Sequence, residues 1–424
     1  MRRVLYTLIC LAFLLVGATI ACASPAAAPP TQGTSPAPTQ TQTTAQPSAA
    51  TTPDQYVIGV SADLTGALSS SQGHMAKVFK LYFDEVNKKG GINGHPVKVI
   101  LDDSHSDAAK TTSQVQSYID SKACLVYNLA SASTCEAAIA KCSIANMPLI
   151  ISTGMPQAAP PHPNPVVFNS QQGAVSDLGG GLGYAAIVVA KLHKMQSVKV
   201  ESVALDDVSA RMKADTSDNF CINWGMTVDR DNVPLTITDY QPLASKIVTG
   251  NHDMVIVTAD GPTVTGLLSA LLGFGYEGYY ISPAVSPPDI ILNQFKLQNQ
   301  LYVVDSVLRM DVPPDAQAAA KTGGIDPSTF TTQGWSMAQS AESILKQVSW
   351  PPTPEKMLAV MNHFTHNRMP YIGPLKWAAD DHMGDTYRQL YTWTKAKGIV
   401  NYGPIYKIDA HTLAATENPP ELNQ

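Results

Sequence analysis

The chain has 424 residues, of which 15% are charged and 7% aromatic, and its formal net charge is −6. This length exceeds what one hydrophobic core usually serves, so it predicts two lobes. With no basic excess in the composition, nucleic acid is excluded as the expected partner.

The chain begins with a segment typical of secretion. Met1 to Ala21 starts with Arg2-Arg3 and continues as a nearly uninterrupted apolar run. This run is close to the roughly 18 residues that a membrane span needs, so an uncleaved anchor is the alternative. The small residues before Cys22 resemble a bacterial lipobox, with Thr19 where leucine is usual. We predict a lipoprotein signal peptide over 1–22, and a chain held outside the cytoplasm on the cell membrane by lipid at Cys22.

Residues 23–54 are expected to form a disordered tether. This stretch is rich in Pro, Thr, Ala and Gln, and Ala23 to Pro53 contains neither a charged nor an aromatic residue. Such a composition cannot bury apolar surface. A tether after a lipidated cysteine lets a folded domain stand off the membrane.

The folded part opens with a βαβ pattern between Tyr56 and Asp103. An apolar run over 56–60 precedes a loop of small and hydroxylated residues. Val78, Phe79, Tyr82 and Phe83 then recur at helical spacing, and Gly90-Gly91 follows as a helix end. A second strand pattern ends at Asp102-Asp103. One βαβ unit of this kind opens a parallel sheet.

The motifs SADLTG and VNKKGGINGHPVKVILDD of this unit resemble the branched-chain amino-acid type of ABC-transporter substrate-binding proteins. LLSALLGFGYEGYYISPA, at 267–284, is similar to a helix and strand of the same family's second lobe. The resemblance spans roughly 55–408. It implies the type I periplasmic binding protein fold: an α/β protein with two Rossmann-like lobes, parallel central sheets and three crossing segments. We expect lobe one to comprise 55–170 and 306–372, and lobe two to comprise 171–305 and 373–424.

The candidate ligand-binding residues follow strands of the expected sheets, because parallel sheets bind ligands at the carboxyl ends of their strands. Ser131 and Ser133 precede a helical pattern, where hydroxyls either cap the helix or bind a ligand. The resemblance favours ligand binding by Ser131, and it also implies contacts at the strand end with Ser152 and Gly154. Three further candidates have these expected roles: Ser71 lies where an aromatic residue is usual, Trp335 would cover an apolar body, and Asp260 would accept from a hydroxyl or amine or cap a helix.

The resemblance also indicates what the ligand is not. The family's amino-acid binders hold the ammonium and carboxylate with a threonine and an acid, and here Pro156 and Ala284 take those positions. A buried ammonium without a carboxylate partner would cost several kcal/mol. We therefore predict a small organic ligand with a polar end and an apolar or aromatic body, not a free α-amino acid.

Enzymatic alternatives have weaker support. A glycine-rich run at 178–183 lacks the preceding strand of a dinucleotide loop. Three short matches to penicillin-binding proteins and serine β-lactamases begin at Ser217, Lys321 and Ser343, but the S-x-x-K match comes last instead of first. We predict that the chain is not an enzyme. The exported serine hydrolase is the disfavoured alternative.

Neither a metal nor a cofactor is expected. His363 and His366 could share a helix face, but no third ligand stands near them in the sequence. Cysteines 124, 135, 142 and 221 remain after the leader. Cys124 begins a strand and Cys142 ends the helix that runs back along it, so we predict a Cys124–Cys142 disulfide; the alternative is four buried free thiols.

The function that follows is capture of a small ligand between two lobes that close by hinge motion. The resemblance implies delivery to ABC transporter permease subunits. A ligand sensor that presents its closed form to a receptor or kinase is the alternative, and the sequence does not separate the two.

Overall fold

The structure is a computed structural model that describes residues 54–66, 68–159, 161–170, 175–259, 261–284, 288–305, 312–367, 373–384, 386–409 and 412–419. The predicted signal peptide with Cys22, nearly all of the tether and Asp260 lie outside the described residues. Among the helices in these ranges, none is both long and apolar enough to cross a membrane.

Lobe one is built on a five-stranded parallel sheet in the order β2-β1-β3-β4-β5. Its strands are β1 (Tyr56–Ala62), β2 (Val97–Asp103), β3 (Leu125–Leu129), β4 (Leu149–Ile151) and β5 (Val167–Asn169). Three helices follow the first three strands: α1 (His74–Lys88), α2 (Ala108–Asp120) and α3 (Ala132–Ala145). Because strands β1, β3, β4 and β5 are buried throughout, they read as apolar runs without alternation.

Helix α1 shows how the sequence pattern produces this packing. Val78, Phe79, Tyr82 and Phe83 form one stripe and are all buried in the lobe-one core. Gly90 has a φ of +100° where the chain leaves the helix, a conformation that a side chain would disfavour.

Lobe two is built on an eight-stranded sheet in the order β16-β15-β14-β10-β9-β8-β6-β7. Its parallel strands are β6 (Lys199–Leu205), β7 (Thr227–Val233), β8 (Met254–Thr258), β9 (Tyr279–Pro283) and β10 (Leu301–Asp305). They repeat the order of lobe one. The helices of this part are α4 (Val175–Leu192), α5 (Val208–Asn223), α6 (Gln241–Thr249), α7 (Gly261–Gly273) and α8 (Pro288–Phe295).

The glycine-rich run lies inside helix α4, so it is not a nucleotide loop. A Cβ atom at Gly183 would stand 2.4 Å from the backbone oxygen of Ser217, and one at Gly179 would stand 2.1 Å from that of Lys213. These glycines therefore let α4 and α5 pack backbone to backbone.

The chain then returns to lobe one. The returning elements are α9 (Pro314–Thr322), α10 (Thr329–Gln347), α11 (Pro354–Met361), and an antiparallel sheet of β11 (Thr365–His366), β12 (Leu375–Ala378) and β13 (Asp381–Gly384). Leu375 and Trp377 belong to the lobe-one core. The predicted boundary at 372/373 is therefore wrong, since β12 and β13 still pack on lobe one.

The last strands complete the lobe-two sheet. They are β14 (Tyr387–Thr394), β15 (Gly398–Asp409) and β16 (Ala414–Glu417). β14 pairs antiparallel with β10, so the sheet is parallel from β6 to β10 and antiparallel beyond it. The parallel core was predicted, and the three-stranded antiparallel extension is an addition to it.

Candidate ligand-binding site

The carboxyl ends of the lobe-one strands bring most of the predicted ligand residues to one edge. In the order β2-β1-β3, the connections from β1 and β3 leave toward opposite sides, which opens a crevice at that edge. Ser131 and Ser133 follow β3, Ser152 and Gly154 follow β4, and Ser71 lies in the connection after β1. In lobe two, helices α5 and α7 begin at the carboxyl edge of the sheet.

Two aspartates hold the connection after β1 in place. Asp63 is fully buried, and its Oδ2 accepts the Leu68 N–H at 2.7 Å and the Ser106 O–H at 2.8 Å. Asp103 accepts the N–H of Leu64 at 2.9 Å and the hydroxyl of Thr65. Sequence reasoning identified neither role, although the Asp102-Asp103 strand end was visible.

The electrostatics of Asp103 agree with this role. Desolvation raises its pKa, but hydrogen bonds from Thr65, His105 and Leu64 outweigh that effect and bring the pKa below its ordinary value. Asp103 therefore stays ionised, and it keeps accepting from the loop backbone at neutral pH.

A side-chain hydrogen bond joins this loop to the end of β4. The Ser152 hydroxyl donates to Gln72 Oε1 at 2.7 Å, and Ser152 is buried. The Ser71 hydroxyl donates to the Leu68 carbonyl oxygen at 3.3 Å, within a π-helical turn at Ser69–Gly73. Ser152 and Ser71 therefore fix the shape of the edge, and Gln72, which sequence reasoning missed, takes part through its bond to Ser152.

The start of α3 offers the groups best suited to bind a ligand. Ser131 is the N-cap residue, yet in the described structure its side chain accepts no N–H from the first turn. Its Oγ lies 3.1 Å from Oγ of the exposed Ser133. The first backbone N–H groups of a helix have no intrahelical acceptor and carry its positive dipole end. Two roles were expected here, helix capping and ligand binding. The Ser131 side chain does not adopt the capping role.

Gly154 lies between this helix start and β5. The neighbouring Thr153 donates its hydroxyl to the Ala130 carbonyl oxygen at 2.8 Å, which ties the end of β4 to that of β3. Gly154 itself is buried, and the exposed Pro156 begins a short 3-10 turn. Pro156 has no N–H to donate at this edge.

The corresponding edge of lobe two presents apolar side chains. Asp207 uses its carboxylate to cap α5 at Ala210 N–H, 2.9 Å away. Next to it Val208 is 52% exposed, and Leu235, just after β7, is 63% exposed. Sequence reasoning missed both, because exposure of an apolar residue depends on the packing around it.

Trp335 is not brought to this edge, which corrects its predicted role. It lies in α10, where its ring meets the Tyr82 ring edge-on with centroids 4.7 Å apart. Tyr82 is more than two turns beyond the start of α1, so the pair is well away from the strand ends. The Tyr82 hydroxyl bonds to Glu342, and Trp335 belongs to the lobe-one core.

The predicted disulfide is also wrong. All four described cysteines are buried and free. The Cys124 thiol points to the Val57 carbonyl oxygen on β1, with 3.4 Å between sulfur and oxygen, rather than toward Cys142. Burial raises the pKa of the thiols at Cys124 and Cys142 to about 12. They therefore behave as small apolar core residues.

The three short hydrolase-like matches do not form a site. They lie on different helices: Ser217 in α5, Lys321 in α9 and Ser343 in α10. Ser217 is buried within lobe two, and Lys346 of the S-x-x-K match forms a 3.0 Å ion pair with Glu342. Ser217 is therefore part of the helix packing in lobe two, and Lys346 lies on a helix surface.

Comparison with known proteins gives one family. A family model described as "Periplasmic binding protein" matches residues 55–398. A search of curated protein sequences found no significant match. Many solved structures share the fold, at low sequence identity.

Three solved structures illustrate the likeness. A fatty acid ABC transporter substrate-binding protein from Thermomonospora curvata has a TM-score of 0.70 at 15% identity, over 84% of this chain and 94% of its own. An amino acid ABC transporter substrate-binding protein from Pseudomonas fluorescens has a TM-score of 0.70 at 12% identity, over 87% of this chain and 97% of its own. The third is an ABC transporter solute-binding protein from Rhodopseudomonas palustris in complex with 3,4-dihydroxybenzoic acid. It has a TM-score of 0.67 at 18% identity, over 84% of this chain and 98% of its own. The predicted fold class is confirmed.

Proposed function

The chain belongs to the periplasmic binding protein family, and we propose that it is the solute-binding component of an ABC importer. Family membership makes it an extracytoplasmic solute-binding protein and not an enzyme. Partnership with permease subunits is supported by the names of the similar structures, which are ABC transporter proteins. The observation that carries the proposal is the pair Ser131 and Ser133, uncapped at the helix start on the carboxyl edge of the sheet.

The polar end of the ligand is proposed to bind at α3. Two hydroxyls 3.1 Å apart and the adjacent free N–H groups are donors that match a carboxylate or carbonyl oxygen. A carboxylate gains most, since the positive end of the helix dipole faces it.

The remainder of the ligand is proposed to be apolar or aromatic. Val208 and Leu235 give the facing edge of lobe two exposed apolar surface, which a bound hydrocarbon or ring would shield from water. Two of the similar structures are consistent with this class, one named for fatty acids and one holding 3,4-dihydroxybenzoic acid. Since Trp335 lies in the core, these aliphatic residues replace it as the proposed apolar contacts.

A free α-amino acid remains the ligand class that we propose to exclude. Pro156 lacks a donor, and Ala284 lacks a charge. The Ala284 backbone N–H is already bonded to the Val304 carbonyl oxygen at 3.0 Å. Asp260, which lies outside the described residues, is the candidate ammonium partner that the sequence suggested.

A thermal-shift panel tests the proposal. It would compare benzoate, 3,4-dihydroxybenzoate and medium-chain fatty acids with leucine and valine, because a ligand of the native state raises the melting temperature. We expect a shift with an aromatic or aliphatic acid, and calorimetry would then give its Kd. Tight binding of leucine or valine, abolished by Asp260→Ala, would contradict the ligand class.

The lipid anchor is a separate part of the proposal. It is supported by the small residues before Cys22 and by the uncharged tether that follows. Cys22→Ser should release the protein from the membrane fraction, whereas a Cys22→Ser protein that stays membrane-bound would favour an uncleaved anchor.

A further inference from the structure

Lobe two contains a buried cluster that is separate from the carboxyl edge. It consists of Glu201 on β6, Asp229 opposite it on β7, and His252 shortly before β8. His252 Nε2 lies 3.1 Å from Glu201 Oε2 and 3.0 Å from Asp229 Oδ2. All three residues lie in or before the amino-terminal half of their strands. The cluster is thus at the opposite end of the sheet from the proposed ligand site.

The histidine in this cluster presents its Nε2 to two acids. Its Nδ1 lies 3.0 Å from the Ile247 carbonyl oxygen, which only accepts, so the proton of a neutral ring is on Nδ1. Nε2 of that ring is then an acceptor facing two carboxylate oxygens. Three converging acceptors repel one another unless a proton or a cation lies among them.

The environment of Glu201 strengthens the need for a proton or a cation among these three acceptor atoms. Its side chain is 0% exposed, and among the described residues neither of its oxygens has a hydrogen-bond partner. A buried charge with no partner is costly, and a cation that contacts both acids removes that cost.

We propose that Glu201, Asp229 and His252 bind one divalent cation of the zinc class. Zinc accepts one imidazole nitrogen and carboxylate oxygens, and its bonds of about 2.0–2.1 Å place tetrahedral ligand atoms about 3.3 Å apart. The observed separations of 3.0 and 3.1 Å reach that value with a shift of a few tenths of an ångström. The Nδ1 hydrogen bond to Ile247 is the outer contact that orients a metal-binding histidine.

Two lysines border the site and oppose the cation. Lys199 Nζ lies 3.1 Å from Asp229 Oδ2, and Lys246 Nζ lies 2.6 Å from Asp231 Oδ2. Their side chains are 35% and 55% exposed, so their flexible stems let the ammonium groups move into solvent when the cation binds. The bound cation would join β6, β7 and the connection before β8, which stabilises lobe two.

Zinc titration of the EDTA-stripped protein tests this site. We expect calorimetry to give one zinc ion per chain, zinc to raise the melting temperature, and cobalt to give the strong visible bands of tetrahedral coordination. Glu201→Gln keeps the shape of the side chain but removes its charge, so it should fold, bind zinc at least tenfold more weakly and lose the thermal shift. His252→Gln should also bind zinc at least tenfold more weakly and lose the thermal shift.

The control is His193→Gln in the same lobe, whose ring contacts Tyr302 and Tyr402 instead of this cluster. It should bind zinc as the wild type does. The proposal is overturned if wild type and Glu201→Gln bind zinc equally, or if the wild type binds none. In the second case the three residues share a proton and form a structural ion pair only.

Discussion

The indole N–H of Trp377 donates a hydrogen bond to the backbone carbonyl oxygen of Asn169, with 2.9 Å between nitrogen and oxygen. Trp377 is in β12 and is 2% exposed, while Asn169 is the last residue of β5. The neighbouring strand β13 adds a second bond of this kind, from His382 Nδ1 to the Val167 carbonyl oxygen at 2.9 Å. These bonds attach the returning chain to the edge of the lobe-one sheet.

Trp377→Phe should weaken this attachment. The substitution removes the donor of this buried hydrogen bond, so we expect a loss of about 1 kcal/mol or more in the free energy of unfolding. Urea denaturation would measure the loss. Trp224→Phe is the control, because Trp224 is 41% exposed and should change stability by about 0.5 kcal/mol or less. Equal losses in both variants would contradict the role given to the hydrogen bond.

Replacing both Ser131 and Ser133 with alanine should weaken ligand binding. The two hydroxyls are proposed donors to the polar end of the ligand, and loss of both should raise the Kd at least tenfold, about 1.4 kcal/mol. Calorimetry with the acid that shifts the melting temperature would measure this. Ser143→Ala, at the far end of the same helix, should leave the Kd unchanged. An unchanged Kd in the double variant would remove α3 from the site.

Asp63→Ala should disturb the loop after β1. It removes the acceptor of the Leu68 N–H and the Ser106 O–H, so we expect a loss of about 1–3 kcal/mol in stability and weaker ligand binding. Asp84→Ala is the matched control, since Asp84 forms an exposed ion pair with Lys80 and such pairs contribute little. If Asp63→Ala binds the ligand with the wild-type Kd, the role of Asp63 is structural only.

The four described cysteines should remain reduced in the purified protein. Dithiothreitol should leave the melting temperature unchanged, because no bond between these residues is there to be reduced. Alkylation under denaturing, non-reducing conditions followed by mass spectrometry should label each of them. A linked peptide containing Cys124 and Cys142 would restore the disulfide that the sequence suggested.

His382 should make stability depend on pH. Burial lowers its pKa below the ordinary value, against the opposing influence of the Val167 carbonyl and of Asp381. As pH falls through about 6.5, the unfolded chain takes up the proton and the folded chain does not, so stability decreases below that pH. His382→Gln should lose part of this decrease in melting-temperature measurements between pH 7.5 and 5.5. The exposed His162→Gln should retain it, and identical profiles for all three proteins would contradict the assignment.

The sequence predicted the alternation of strands and helices well, because helix stripes such as Val78–Phe83 and buried runs such as β8 are local patterns. It did not predict which lobe β12 and β13 join, since that depends on contacts between distant parts of the chain, such as the Trp377–Asn169 hydrogen bond between residues 208 positions apart. Trp335 was misplaced for a related reason: an aromatic residue in a helix has no local signal for the face that it packs against.

The site was predictable in part. Ser131 and Ser133 follow a strand and begin a helix, so their location could be read from the sequence. Gln72 and Asp63 act through hydrogen bonds to Ser152 and Ser106, which only the folded chain brings near. The Glu201 cluster was missed because Glu201 and Asp229 lie on separate strands, His252 precedes a third, and no sequence spacing connects them.

The discontinuity of lobe one has a consequence for how the chain reaches its native state. Its core contains Phe79 and Phe168 from the first part of the chain, but also Met337 and Trp377 from the last part. During synthesis this core cannot close until β12 has emerged, long after β5. Contacts this distant in sequence slow folding. We therefore expect the nascent polypeptide to stay incompletely folded for most of its synthesis, which is the condition in which a secretion channel can thread it.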